Sequence, residues 1–455
     1  MKKKSIYLIH LLLTSILVIS CSSEDLEPTL ATIKGADSIK TEADIQGVLI
    51  GAVDILTSSN WYGRDFIIED EIRGTTVFAN GNSGRFENPA RYAYIADNGL
   101  GVWATAYDAI APTNIIINSD FSEIDGSQEN MQSIVGQAHF VRAIAHFDLL
   151  RNYGQQHLGG NLGIPIVTEF KGEELSPARN TVEEVKGAIY ADLETAYNTI
   201  SANATSKQFP SRLAAKALES RVALYFGEWS RAAAAAKLVI DSGKFSVLAA
   251  DAYVSSWEGT NAANSIFELA FSATDNRGIN GLAYIYRGCN YGDVEVLPSV
   301  QNLYEASDVR LGVLGDETCS SDVKLVNKAK WPKTDSQDDN VVVLRIEEVI
   351  LNYAEALLEQ GQTSAAILEL NKITSKRGAS AYTSVTKQDI LNERRKELIF
   401  EGFQFFDYQR TRLAIPVTPG HNNQTEISST DHRRIFPIPT YELESNANMV
   451  QNDGY

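Results

Sequence analysis

The sequence predicts a mainly α-helical protein in which long irregular loops connect paired helices. Apolar residues recur at helical spacing in several long stretches, and two of these stretches share a helix–glycine–helix pattern. Segments rich in Gly, Asn and aromatic residues separate the helices. The 455 residues are enough for one large domain or two coupled ones.

Residues 1–20 have the pattern of a secretory signal peptide. Lys2–Lys4 precede an apolar run from Ile6 to Ile19, which is too short to span a bilayer comfortably. Small residues before Cys21 resemble a bacterial lipobox, and that resemblance implies cleavage before Cys21 and its lipidation. Lipid chains on this residue would tether the mature protein to a membrane. An ordinary secreted protein with an early cysteine is the alternative.

Residues 21–40 are predicted to form an acidic tether. The small and acidic segment Ser22–Glu27 resembles the surface-export tag of bacterial lipoproteins, which implies a lipid-anchored position on the extracellular face of the outer membrane. A flexible tether without a targeting signal is the alternative. The formal charge changes from −18 to −21 without residues 1–20, which argues against a nucleic-acid partner. No second long apolar run follows, so the anchor is the only expected membrane contact.

Several helices have recognisable starts and buried faces. The stretch Gln137–Tyr153 places apolar residues at helical spacing. Two capping boxes, Thr181 with Glu184 and Thr386 with Asp389, predict the first residues of two further helices.

Two helix–glycine–helix segments resemble each other. Their helices and connecting glycines are Leu213–Phe226, Gly227, Arg231–Ile240, Ile346–Gln360, Gly361 and Ala365–Ile373. An alanine follows each glycine by five residues (Ala232 and Ala366), and small residues allow close helix packing. The pattern resembles the tetratricopeptide unit, whose copies stack and bury a shared face. Two unrelated helical hairpins are the alternative.

Three long segments between the helices are rich in aromatic residues. They are Asn60–Tyr94, Ser272–Gly292 and Gly315–Asn340. Loops of this length are usually functional or disordered, and the aromatic content argues against disorder. We therefore expect these loops to carry function.

Several further segments match one known pattern. They are Gly136–Gly154, Leu303–Arg310, Ile346–Gly361, Leu391–Gly402, Phe405–Arg410, Phe436–Pro439, Glu442–Leu443 and Asn446–Tyr455. Together they resemble the SusD/RagB family of surface nutrient-binding lipoproteins, in register over nearly the whole mature chain. The resemblance implies a SusD-like fold, with an N-terminal region with helical repeats at residues 41–260 and a C-terminal RagB/SusD region at residues 261–455.

The resemblance also implies a function. The protein would capture a nutrient, usually an oligosaccharide, and close as a hinged lid over a TonB-dependent SusC-like transporter, which would import the ligand without any covalent step. Two alternatives stay open: an all-helical glycoside hydrolase, and a repeat scaffold that binds only protein.

The aromatic loops suit sugar capture, because flat rings cover the apolar face of a sugar while Asn, Asp and Arg bind its hydroxyl groups. The resemblance implies that the N-terminal and middle loops build the site. The candidate ligand-binding residues are Trp61, Tyr62, Arg73, Tyr284, Tyr286, Tyr291 and Trp331. Their polar neighbours Arg64, Arg287 and Asn290 would assist.

No motif predicts catalysis, since HExxH, GxSxG and P-loop patterns are absent. The glycosidase alternative would need two carboxylates in a cleft, for which Asp65 and Glu69–Glu71 near Trp61 are the candidates. No cofactor is expected. The run Asp335–Asn340 lacks the EF-hand spacing, although bound calcium there stays open.

Two further patterns are interpreted as structural. Glu393, Glu397 and Glu401 share one helical face, which we interpret as a buried ion network rather than a catalytic site. Further expected members of this network are Arg394, Asp407 and Arg410. Cys289 and Cys319 could form one disulfide, but two cysteines make no framework, and we expect unpaired or casually paired thiols.

Overall fold

The computed structural model describes residues 39–98, 101–169 and 176–455. The predicted signal peptide, Cys21 and nearly all of the predicted tether lie outside these residues. From Thr41 to Tyr455 the chain forms one compact unit. The boundary between residues 260 and 261 stays a prediction.

Helices dominate the described part of the chain. The α-helices are α1 (Glu42–Ile55), α2 (Asp65–Ile72), α3 (Glu87–Ala90), α4 (Trp103–Ile117), α5 (Gln128–Tyr153), α6 (Val182–Thr199), α7 (Arg212–Phe226), α8 (Trp229–Asp241), α9 (Ala250–Tyr253), α10 (Leu282–Ile285), α11 (Ile346–Glu359), α12 (Thr363–Arg377), α13 (Lys387–Glu397), α14 (Gln404–Thr411) and α15 (Thr440–Ser445). Short 3₁₀ helices are Ala96–Asn98, Phe121–Glu123, Ser255–Glu258, Gly278–Asn280, Pro298–Leu303, Val309–Val313 and His432–Arg434.

The strands are short and pair only in twos among the described residues. They are β1 (Val77–Ala79), β2 (Ser265–Leu269), β3 (Val294–Val296), β4 (Leu314–Cys319), β5 (Asp322–Asn327) and β6 (Val341–Arg345). β1 pairs with β3, β2 with β6, and β4 with β5, all antiparallel. The predicted mainly α-helical fold is confirmed.

The predicted helix starts are also confirmed. The Thr181 hydroxyl accepts from the Glu184 backbone N–H, and the Glu184 carboxylate accepts from the Thr181 N–H at 2.8 Å. Thr386 and Asp389 form the same reciprocal pair at the start of α13. α5 begins earlier than the periodicity predicted, because Ser127 caps it at Gln128.

The two predicted helix pairs are α7 with α8 and α11 with α12. Gly227 and Gly361 adopt positive φ angles of 72° and 76° between the paired helices, a conformation that favours glycine. Ala356 of α11 packs in one buried cluster with Ala223 of α7 and Ala232 of α8. The pairs therefore stack through small residues, as the tetratricopeptide-like pattern predicted.

The predicted ion network centres on Glu397, which is completely buried. Its carboxylate accepts from Arg310 at 3.1 Å, from Arg345 at 2.8 Å and from Arg377 at 2.9 Å. Burial alone would raise the pKa of Glu397, but the three guanidinium groups lower it well below its ordinary value. Other ion pairs here join Glu393 to Arg310, Glu401 to Lys330, and Asp407 to Arg394 and Arg410.

Cys289 and Cys319 form a disulfide, so the expectation of unpaired or casually paired thiols is corrected. The physical reason is the β4–β5 hairpin. Cys319 is the last residue of β4, next to the hairpin turn, and the fold brings it against the loop that precedes β3, with 5.4 Å between the two Cα atoms.

Within the described ranges, the helices lack the combination of length and apolar character that a bilayer-spanning segment requires.

Candidate functional site

Four segments, of which the last two are consecutive in sequence, form one surface, which we call the loop face: residues 80–86, 277–293, the β4–β5 hairpin (314–327) and 328–340. The Asn80 backbone N–H donates to the Asp293 carbonyl at 3.0 Å, next to the β1–β3 pair, and so joins the first two segments. The Cys289–Cys319 disulfide joins the second to the hairpin. The Arg287 side chain donates to the Trp331 carbonyl at 2.9 Å and so joins the second to the fourth.

Tyr291 is an aromatic residue that the loop face presents to solvent, with 49% of its surface exposed. Beside it, Arg85 donates to the Asp293 carboxylate at 2.7 Å, to the Asn280 side-chain oxygen at 2.7 Å and to the Tyr291 carbonyl at 3.1 Å. The guanidinium carbon lies 5.6 Å from the centre of the Tyr291 ring. Arg85 therefore connects the segments and supports the ring, while the ring itself stays accessible.

The loop that carries Tyr291 is held by its backbone carbonyls. The Asn82 amide donates to the carbonyls of Gly288 and Gly292 at 3.1 and 2.9 Å, and Lys324 donates to that of Gly288 at 2.9 Å. A Cβ atom at Gly292 would lie 2.3 Å from the Gly288 nitrogen, so the turn requires glycine there. A platform fixed in this way loses little conformational entropy on binding.

A small cavity lies at Trp331. Three buried polar atoms of its lining residues, Trp331 Nε1, Arg277 Nε and Asp339 Oδ1, have no hydrogen-bond partner in the structure. Burial raises the pKa of Asp339 to about 6. The cavity volume is about 20 Å³, enough for one water molecule or one inserted hydroxyl group. Unsatisfied buried polar atoms around such a space favour a polar occupant.

Four of the predicted ligand residues belong to the core, which corrects their assignment. Trp61 Nε1 and the Tyr62 hydroxyl both donate to the buried Asp148 carboxylate at 2.8 Å. Arg73, with no exposed surface, pairs with Asp70. The fourth residue, Tyr286, is also buried and donates its hydroxyl to the Phe400 carbonyl at 2.9 Å.

Trp331 is less accessible than predicted. Only 2% of its surface is exposed, and its ring stacks on Tyr286 with 5.9 Å between ring centres. Its indole N–H nevertheless belongs to the cavity described above. Tyr284 is partly exposed, so Tyr284 and Tyr291 are the two predicted aromatic residues that a ligand can reach directly.

The sequence interpretation missed Arg85 and Asn280. Apart from Ser83, the hydrogen-bond partners of the Arg85 side chain lie 195 to 208 residues away in the chain. The local sequence around Arg85 contains no signal that distinguishes it from other loop arginines.

The acids of the glycosidase alternative lie in α2 and not in an open cleft. Glu69, Asp70 and Glu71 are buried, and burial raises the pKa of both Asp70 and Glu71 to about 7. Asp65 pairs with the neighbouring Arg64 at 2.5 Å. Glu69, Asp70 and Glu71 are closed to a substrate in this conformation, whereas Asp65 is partly exposed.

The acidic run near Asp339 is occupied by local contacts. The Lys333 backbone N–H donates to Asp339 at 2.7 Å, and the Lys333 ammonium lies 3.3 Å from Asp338. In the part of the chain that the structure describes, no three His, Cys, Asp or Glu side chains are grouped to hold a metal ion. Bound calcium there stays a prediction.

Comparison with known proteins supports one family. The sequence model of the SusD family matches residues 317–455. The model of a family described as "Starch-binding associating with outer membrane" matches residues 25–224. SusD-like protein P2 of Formosa agariphila is 26% identical over all of both chains. Starch-binding protein SusD of Bacteroides thetaiotaomicron is 27% identical over 152 residues, which are 32% of this chain and 26% of that protein.

The fold agrees with solved structures of the same family. The crystal structure of a SusD superfamily protein from Bacteroides thetaiotaomicron superposes with a TM-score of 0.84 at 28% identity, covering 90% of this chain and 99% of the other. The resemblance to the SusD/RagB family that the sequence motifs indicated is thus confirmed in sequence and in fold. The chain belongs to the SusD family.

Proposed function

We propose that this protein captures an oligosaccharide on its loop face at the surface of the outer membrane. It then delivers the ligand to a TonB-dependent SusC-like transporter without any covalent step. The observation that carries the binding proposal is the exposed Tyr291 ring, fixed by Arg85 and by the disulfide at Cys289. Family membership and the starch-binding name of one relative support the choice of a carbohydrate.

The geometry of the loop face suits an extended ligand. The cavity at Trp331 holds one hydroxyl-sized group and cannot enclose a whole sugar ring. A glycan chain would therefore lie across the surface, with one ring stacked on Tyr291 and its hydroxyl groups near Arg85 and Asn280.

The location rests on the predicted lipidation of Cys21, which lies outside the described residues. The predicted export segment Ser22–Glu27 supports the extracellular face. We place the helix pairs towards the transporter, since they lie outside the loop face. Replacement of Cys21 by Ala would move the protein out of the membrane fraction, which immunoblotting of fractionated cells measures.

The decisive experiment measures binding to a panel of oligosaccharides by calorimetry. Tyr291→Ala would weaken the affinity for the tightest-binding glycan by about 1–3 kcal/mol and leave thermal unfolding unchanged. Tyr441 is the matched control, because it is a tyrosine with a similar exposed fraction of 46% outside the loop face. Equal losses in the two variants, or no loss in either, would remove Tyr291 from the site.

The two alternative functions predict different results. A glycoside hydrolase would release new reducing ends from the bound glycan, whereas a binding protein would release none. A repeat scaffold that binds only protein would show no affinity for any glycan of the panel.

A further inference from the structure

A second cleft lies among the helices, where α6 ends, α7 begins, α8 ends and β2 passes. Its volume is about 440 Å³, within the range of sites that bind small molecules. We call it the basic cleft, because Lys207, Arg212 and Lys244 belong to its lining while none of the described lining residues is acidic. It shares no residue with the loop face.

Among the described residues, the three cations lack carboxylate partners, although the chain has a formal charge of −18. Nearby lysines are paired: Lys216 with Glu219 at 2.6 Å and Lys237 with Asp241 at 2.5 Å. No ion pair of this kind involves Lys207, Arg212 or Lys244 in the described ranges. The positive charge of the cleft is therefore not neutralised by ion pairs with the described residues.

Two of the cations are held in place by uncharged groups. Arg212 Nε donates to the Tyr197 carbonyl at 2.7 Å, and its guanidinium carbon lies 4.7 Å from the centre of the Tyr197 ring. The Lys207 ammonium donates to the carbonyls of Asn261 and Ala262 and lies 6.0 Å from the Phe245 ring centre. These contacts orient the charges and leave them available to a ligand.

Glu268 is the carboxylate that interacts electrostatically with Lys207, but its hydrogen bonds go to other groups. Glu268 is buried and accepts hydrogen bonds from the Asn261 backbone N–H, the Ser265 hydroxyl and the Asn340 amide. Burial lowers the pKa of Lys207, as expected for an ammonium group whose charge is only partly compensated.

We propose that the basic cleft binds a small organic oxyanion, a molecule of about one or two sugar rings that carries a carboxylate or a sulfate. Arg212 and Lys207 would contact the oxyanion from the cleft wall. Lys244, which is exposed at the rim, would add a third charge-assisted contact. The proposal does not depend on glycan capture by the loop face.

The test is calorimetric titration of the full chain with glucuronate and with glucose 6-sulfate, with glucose as the uncharged comparison. Both charged sugars would bind saturably and glucose would not. Inorganic sulfate would compete with both, and higher salt would weaken both. The two charged probes distinguish a carboxylate from a sulfate preference.

Lys244→Gln would weaken binding of the charged probes by about tenfold or more. Its side chain has no partner in the described structure, so the substitution should not disturb folding. Lys376→Gln is the matched control, since Lys376 is an exposed and unpaired lysine of α12, and it would leave binding unchanged. Arg212→Gln would also weaken binding, with thermal unfolding measured in parallel.

Three results would overturn the proposal: glucose binding as tightly as glucuronate, no saturable binding of either charged sugar, or equal losses in Lys244→Gln and Lys376→Gln. Tyr291→Ala would leave binding of the charged probes intact. Failure of the basic cleft is thus distinguishable from failure of the loop face.

Discussion

At the scale of single residues, hydrogen bonds and exposure distinguish the aromatic side chains of the core from one that a ligand can reach. Trp61 and Tyr62 share the buried Asp148 carboxylate, so their polar atoms are satisfied inside the protein. Tyr291 instead stands over Arg85 with half of its surface exposed. Composition alone does not distinguish these cases, because all three residues occur in segments rich in Gly, Asn and aromatic residues.

Arg85 should act as a positioning residue for Tyr291. Arg85→Lys would keep the positive charge but lose the planar group that reaches Asp293, Asn280 and the Tyr291 carbonyl together. We expect glycan affinity to fall by about 1 kcal/mol, measured by calorimetry. Arg91→Lys, at an exposed arginine paired with Glu87, is the control and should bind normally. Normal affinity in Arg85→Lys would exclude the positioning role.

His146 should make stability depend on pH. Burial lowers the pKa of His146 from its ordinary 6.5 to about 4. The unfolded chain therefore binds the proton first, and stability is lost as the pH falls from 6.5 towards 4. The free energy of unfolding falls by about 3 kcal/mol over this pH range. Denaturant unfolding of His146→Leu across this range should show a shallower decrease than the native chain, and an identical decrease would contradict the assignment.

At the scale of elements, local signals predicted the helices and non-local contacts determined the loops. Capping boxes, glycines at positive φ and alanines at close contacts act within a few residues of one another. The sequence therefore predicted α6, the two helix pairs and α13 closely. The disulfide forms because the β4–β5 hairpin contacts a loop whose cysteine is 30 residues away in sequence. No local sequence pattern indicates this contact.

Stacking of the helix pairs should tolerate little added volume. Ala232→Leu would overpack the contact with Ala356 and lower the free energy of unfolding by about 1–3 kcal/mol. Ala234→Leu on the exposed side of the same helix should change it by less than about 0.5 kcal/mol. Chemical denaturation measures both variants, and equal effects would show that the pairs do not meet there.

The disulfide should support both stability and binding. A double Cys289→Ser and Cys319→Ser variant would lower the free energy of unfolding by about 2–4 kcal/mol. It would also weaken glycan binding, because the segment with Tyr291 would lose its covalent link to the hairpin. Denaturation and calorimetry provide the two readouts. Undiminished glycan affinity in the folded variant would mean that the hydrogen bonds of Asn82 and Lys324 suffice.

At the scale of the whole molecule, the helix pairs stack on one another, and contacts between loops that are distant in sequence form the loop face. Family motifs spread over the chain predicted this architecture. The accessibility of the candidate ligand residues was predicted only in part, because burial of Arg73 and Tyr286, and exposure of Tyr291, depend on segments that meet only in the folded chain. The basic cleft arises in the same way, because Lys244 after α8 meets Lys207 before α7 and Arg212 at the start of α7 only in the folded chain.

Hydrogen exchange of the full chain, with and without the tightest-binding oligosaccharide of the panel, tests capture at the loop face most directly. Binding there predicts slower exchange in residues 277–293 and 328–340, with unchanged exchange in α7, α8, α11 and α12. Slower exchange confined to those helices, or a panel in which no oligosaccharide binds, would contradict capture at the loop face.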